Sequence, residues 1–200
     1  MTTRRASAFH SIVDDNNQVM NLPSGSPAGT PADSLGSVQG APLGYPVSVV
    51  GKSNVISVTL TPDTSIMADN DVIAGTQEVP DFFRVAGGVA LLHSIVLLDE
   101  ADQAQDVDII FMNADGSVGA ENAAYAPSDA IAAQIIGSVL ISTTDYSDAN
   151  TSQTATKSNV GLMLKAGPNT TSVWIAAVCR SGTPTYTASS LKLKLGVFED

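Results

Sequence analysis

From Tyr45 to the C-terminus, short β-branched and apolar runs alternate with Gly, Asn, Asp and Ser punctuation, the pattern of strands joined by turns. Such a chain has few ways to fold other than as sheets. Alternation is clearest over residues 191–198, where Leu191, Leu193, Leu195 and Val197 share one face and Lys192, Lys194, Gly196 and Phe198 the other. A strand with one buried and one wet face is expected there. Residues 89–98 and 173–178 are apolar almost throughout, as central strands covered on both faces would be, the cover coming from a second sheet or a neighbouring subunit. Further strands are expected at residues 47–50, 54–61, 107–112, 138–143 and 158–165, with the 173–178 run widened to 172–180.

One short helix is expected after Pro127, with Ser128 as N-cap, alanines behind it and a stop before Gly137. Asp69-Asn70-Asp71 reads as a turn, and Asn113-Ala114-Asp115-Gly116 carries the Asp-Gly signal of a hairpin. About eight strands with so little helix leave no room for parallel crossovers. The fold class is therefore all-β: an antiparallel β-sandwich of Greek-key or jelly-roll type. A body of this size buries roughly two thirds of its unfolded surface, so it folds without the disulfide that its lone cysteine, Cys179, cannot make.

Residues 1–45 differ. The stretch Asn21-Leu22-Pro23-Ser24-Gly25-Ser26-Pro27-Ala28-Gly29-Thr30-Pro31 suits neither a helix nor a central strand. Its apolar residues, among them Phe9, Ile12, Val13, Val19 and Leu22, are too many for a plain linker and too scattered for a core. The organisation expected is an extended N-terminal arm, 1–45, acting as an assembly anchor, and a sandwich domain, 46–200. Forty extended residues reach at most about 130 Å, enough to cross onto neighbouring molecules.

Twenty acidic against nine basic residues give a net charge of −11 and a pI near 4.3. Binding to nucleic acid through phosphate neutralisation is thereby disfavoured. No apolar run reaches membrane-spanning length, and the start lacks the apolar stretch of a secretory signal, so a soluble chain made in the cytoplasm is expected. A nucleophile would need a histidine base, and only His10, in the arm, and His93, among apolar strand residues, exist. Cys179 reads as a small strand hydrophobe. The run from Asp99 to Asp108 holds five acids, which raises calcium as a ligand, yet it lacks the spacing of a calcium loop and is explained by a solvated turn. Clustering on one loop also argues against an opposed glycosidase pair. No cofactor and no metal is expected.

The opening Arg4-Arg5-Ala6-Ser7-Ala8-Phe9, followed by Gln18-Val19-Met20-Asn21-Leu22-Pro23-Ser24-Gly25, resembles the N-terminal anchoring segments of small virion proteins of tailed bacteriophages. The segments Val79-Pro80-Asp81-Phe82-Phe83-Arg84-Val85, Val96-Leu97-Leu98-Asp99-Glu100-Ala101-Asp102-Gln103 and Gly182-Thr183-Pro184-Thr185-Tyr186-Thr187 are similar to stretches of phage structural proteins of the capsid decoration, or cement, class. The resemblance implies a non-enzymatic protein on the virion exterior that binds the major capsid protein, braces adjacent subunits and forms a homotrimer. Partner contacts would come from Arg4, Arg5, Phe9, Ile12, Val13, Val19 and Leu22. The alternative is a head-fibre or tail-appendage module that presents the sandwich to a host glycan or receptor.

Overall fold

The structure, a computed structural model, describes residues 11–13, 19–21 and 52–199. The chain divides into two units, 1–48 and 49–200. In the first, β1 (Ser11–Val13) pairs antiparallel with β2 (Val19–Asn21), placing Ile12 opposite Met20 and Val13 opposite Val19. The expected strand at 47–50 lies outside the described residues.

The second unit is an antiparallel sandwich of two sheets. Its strands are β3 (Lys52–Leu60), β4 (Val72–Val79), β5 (Val89–Asp99), β6 (Val107–Met112), β7 (Ile135–Ile141), β8 (Tyr146–Asp148), β9 (Gln153–Lys157), β10 (Leu162–Lys165), β11 (Val173–Cys179) and β12 (Leu191–Glu199). Sheet I has the order β3-β12-β5-β9-β8, with β10 also on β5; sheet II has the order β4-β11-β6-β7. The pairs nest from the outside inwards: β3 with β12, β4 with β11, β5 with β9 and β10, β6 with β7. A long antiparallel hairpin rolled into two layers gives this order, so of the two expected topologies the molecule takes the jelly roll.

The inward faces make one core. Leu92, Ile95 and Leu97 of β5 and Leu193 and Leu195 of β12 meet Ile109, Phe111 and Ile175 of sheet II, all fully buried. The alternation read at 191–198 is realised over Leu191–Glu199. Phe82 and Phe83, edge to face with centroids 5.0 Å apart, add to it from the β4–β5 loop.

Sheet II is buried on its inner face and, around β11 and β6, on its outer face too, while Ser138 and Leu140 of β7 stay exposed. Its outer side carries a second cluster, Val72, Ile110, Met112, Val118, Ala176 and Val178, with Trp174, Tyr125 and Ile131 packed against it. Val118, Tyr125 and Ile131 belong to the connection 113–134, so the apolar β11 run is covered within its own chain. That connection contains the expected helix as a single turn, α1 (Asp129–Ala132), whose N-cap Ser128 accepts the Ile131 N–H at 3.4 Å. Asp115-Gly116 makes no hairpin: the chain spends 22 residues crossing the outer face before β7 begins.

Three other expectations need correction. The strand expected at 158–165 is confined to β10, Leu162–Lys165, because Asn159 and Gly161 take left-handed backbone (φ 56° and 68°) and Val160 N–H bonds the His93 carbonyl at a bulge in the β5–β12 ladder. The 138–143 strand begins earlier, at Ile135, and ends at Ile141, where Ser142 caps a 3-10 turn, Thr143–Asp145. Strand β4 was not expected at all. Val72, Ile73 and Ala74 are buried in succession and Gly75 follows, so no period of two marks it.

Gly167 shows how tightly the far end is closed. A Cβ there would lie 2.6 Å from the Asn113 carbonyl oxygen, backbone against backbone. Gly167→Ala should lower stability by about 1 to 3 kcal/mol in chemical denaturation, since neither segment has a side chain that can yield.

Candidate functional site

The acid-rich run is the natural place to look for chemistry, and the fold brings it to one end of the sandwich with the β3–β4, β7–β8 and β11–β12 connections. Asp99 ends β5 pointing inward and is fully buried. Its Oδ1 accepts the Ala101 N–H at 2.9 Å, and its Oδ2 accepts those of Gln103 and Ala104, both at 2.9 Å. One carboxylate thus organises a loop in which Asp102 and Ala104 hold positive φ of 55° and 48°.

The other four acids go to four separate partners. Glu100 meets Lys192 at 2.5 Å, Asp102 accepts from Gln153 Nε2 at 2.7 Å, and Asp106 accepts the Thr143 N–H. Asp108 pairs with Arg180 at 3.1 Å, and that guanidinium also donates to Asn70 and lies over the Tyr125 ring, 5.3 Å from its centroid. Among the described residues no group of three or more acid, His or Cys side chains converges on a point that could hold a metal ion. The run is loop architecture: its acids diverge.

Neighbouring polar groups are spent the same way. Gln103 Oε1 accepts the Thr185 N–H at 3.0 Å, Ser181 Oγ donates to Gln105 Oε1 at 3.2 Å, and Tyr146 Oη donates to the Gln105 carbonyl at 3.0 Å. Burial first, then the charges of Asp99, Asp106 and Asp145, pushes the Tyr146 phenol well above its ordinary range. Tyr186 is raised for the same first reason, with Tyr146 and Asp99 nearby. Burial works to raise the Asp145 carboxyl, but the Lys157 ammonium at 2.7 Å and the Ser142 N–H outweigh it and hold it below the usual carboxylate range.

Cys179 is buried and donates to the Ser181 carbonyl at 3.0 Å. Burial, the largest cause, raises its thiol, and Asp69, Asp71 and Asp106 add to it, so the group is held as the thiol. His93 sits at the β5 bulge with its ring centroid 5.3 Å from that of Phe198.

Of the anticipated partner-binding residues, Ile12, Val13 and Val19 lie in the β1–β2 ladder; Arg4, Arg5, Phe9 and Leu22 lie outside the described residues. What sequence reasoning missed is a face. The outer side of sheet I presents Val55, Met163 and Phe198 to solvent, and register sets Ser53, Phe198, Leu91 and Met163 in one row across four strands. Ser57, Thr59, Lys192, Lys194 and Lys165 complete it. Its lysines outnumber its carboxylates, of which Glu100 is paired with Lys192 at 2.5 Å, in a body whose residues 52–199 hold sixteen acids against seven basic residues. Alternation in β12 announced the two faces; only the register shows that neighbouring strands extend the outer one.

No protein-family profile and no curated protein matches the sequence. A solved structure from Desmodium yellow mottle tymovirus aligns with 99% of this chain and 95% of its own at 10% identity, with a TM-score of 0.26. A superposition that loose carries no argument. The jelly roll rests on its own strand order. No helix among the described residues is long and apolar enough to cross a membrane.

Proposed function

We propose that this chain is a non-enzymatic virion structural protein, a decoration or cement protein that binds the outer surface of a phage capsid and braces adjacent major capsid subunits. The observation that carries the reading is the use the fold makes of its reactive groups. The acids of the 99–108 run, Cys179 and the buried tyrosines are all committed to loops, ion pairs or the core, which leaves contact as the work of the molecule. Jelly rolls serve capsid proteins, lectins and cupins alike, so the architecture is compatible with this role and does not select it. The resemblance of the 1–25 segment to phage anchoring segments selects it.

In this reading the arm attaches and the body faces out. Arg4 and Arg5 against Asp14, Asp15 and Asp33 give residues 1–45 a net charge of −1, which leaves −10 on the rest. An acidic body is repelled by nucleic acid and by acidic neighbours, which favours the exterior of the shell. Attachment is mainly apolar: an exposed ion pair contributes about 0 to 1 kcal/mol and is screened within about 8 Å, whereas a large buried side chain contributes about 1.5 to 3 kcal/mol. Near-molar salt should leave the protein on its particle, and Phe9→Ala should weaken co-sedimentation more than Arg5→Ala. Release by moderate salt, or the opposite order of the two substitutions, would show attachment to be electrostatic. Copy number in purified particles separates the alternative, since a cement is present in many copies over the shell and a head-fibre or tail appendage in few.

A further inference from the structure

The sandwich is electrically uneven along its strands. Residues 61–71, 99–108 and 142–148 hold three, five and two of the sixteen acids of residues 52–199. Strand pairing brings all three segments to one end, where Asp99 lies opposite Leu191 and Gln153 and Val107 opposite Ile141. Arg180, Lys192 and Lys157 pair with acids of this end. Ten acids against these three cations leave it a net charge of −7. About 30 Å away, at the other end of the nine-residue β3–β12 ladder, Lys52 lies opposite Glu199, and there the chain joins the body to residues 1–48.

The cations without a carboxylate partner among the described residues, Arg84, Lys165 and Lys194, lie away from the acid end. So do Val55, Val85, Met163 and Phe198, four of the six exposed large apolar side chains. Three of these four share the outer face of sheet I. Phe198 and Met163, 46% and 68% exposed, flank Leu91 in one row, and Val55 stands in the next row, opposite Gly196. The His93 ring, 5.3 Å from that of Phe198, extends the patch. Lys194 occupies the row after Val55, and Lys165 lies two residues beyond Met163 on the other side. Lys192, nearer the acid end of the same face, is held by Glu100. An apolar patch rimmed by uncommitted cations has the anatomy of a contact surface.

On the reading that the arm anchors this chain to a shell, we infer that the half of sheet I around Phe198 and Met163 is the body's own contact with that shell, seated on a protein surface where carboxylates border an apolar patch. Charge and connectivity select this partner. Lys165 and Lys194 complement carboxylates, whereas a second copy of this face would set lysine against lysine. The link to residues 1–48 leaves from the Lys52 end, so an anchored arm keeps this half of the body near the shell and the acid end away from it. The contact is secondary. It orients the body with its most charged end toward solvent and does not hold a chain that has lost its arm.

Oxidation by dilute hydrogen peroxide reads this face in the unmodified full chain, because Met163 is exposed while Met67 and Met112 are buried. In free protein Met163 should oxidise about tenfold faster than those two, and on purified particles its rate should fall about tenfold. Met163→Glu combined with Lys194→Glu, both at exposed positions, should lower co-sedimentation of the full chain about tenfold with unchanged circular dichroism. Ile66→Glu, equally exposed but at the acid end, should bind as the unmodified chain does. Slow oxidation of Met163 in free protein would mean that the chain covers this face itself, and would overturn the inference. So would a Met163 left unprotected on particles, or a loss with Ile66→Glu that matches the double variant. Those outcomes leave the decoration reading standing, whereas a full chain that never co-sediments with particles removes both.

Discussion

Asp99→Ala should cost this protein about 3 to 5 kcal/mol, a large share of the roughly 5 to 15 kcal/mol that holds a domain folded. The side chain is fully buried and accepts three backbone N–H groups, so its removal strands three donors at once and releases the two left-handed residues of the loop they shape. Hydrogen bonds to a charged acceptor contribute about 1.5 to 3 kcal/mol each, and the three are not independent, which is why the expected loss falls short of their sum. In a domain of this size the melting temperature should fall by roughly 10 °C. Asp99→Asn keeps the shape, offers one acceptor oxygen in place of two and should lose less. Asp102→Ala, which removes one exposed bond to Gln153, should change stability by less than about 1 kcal/mol. Thermal denaturation of the three variants gives the ranking, and a loss below about 1 kcal/mol for Asp99→Ala would assign the loop to the Gln103 and Gln105 side chains instead.

Deleting residues 1–40 should abolish binding to the particle and leave the sandwich folded. Among the described residues every member of both hydrophobic clusters lies at or after Ile56, and the loops at the acid-rich end bond to one another. Affinity in the proposed role rests on the buried apolar anchors of the arm, foremost Phe9, Ile12, Val13 and Leu22, and a few such anchors carry most of the energy of an interface. The truncated chain should therefore keep its β-type circular dichroism and a cooperative melt, yet stay in the supernatant when particles are sedimented. Retained binding would move the interface to the body; loss of the melt would make the arm part of the fold.

Local alternation determined much of this molecule. A period of two over Leu191–Glu199 and continuous apolar runs over Val89–Asp99 and Val173–Cys179 locate strands because burial of one face or both is written directly into successive residues. Ser128 was legible as an N-cap for the same local reason, since the N–H it satisfies lies three residues away. The acid run was legible as a loop between two strands, but its working parts were not: the three bonds of Asp99 depend on the exact course of the loop, and Arg180 reaches Asp108 from 72 residues away. Cover and edges belonged wholly to the tertiary structure. Whether an apolar strand is sheltered by its own chain, as β11 is by 113–134, or left at a margin, as β3 is, depends on which strands become neighbours. In a jelly roll those neighbours come from opposite ends of the chain, Lys52 beside Glu199, a distance over which no local pattern carries information.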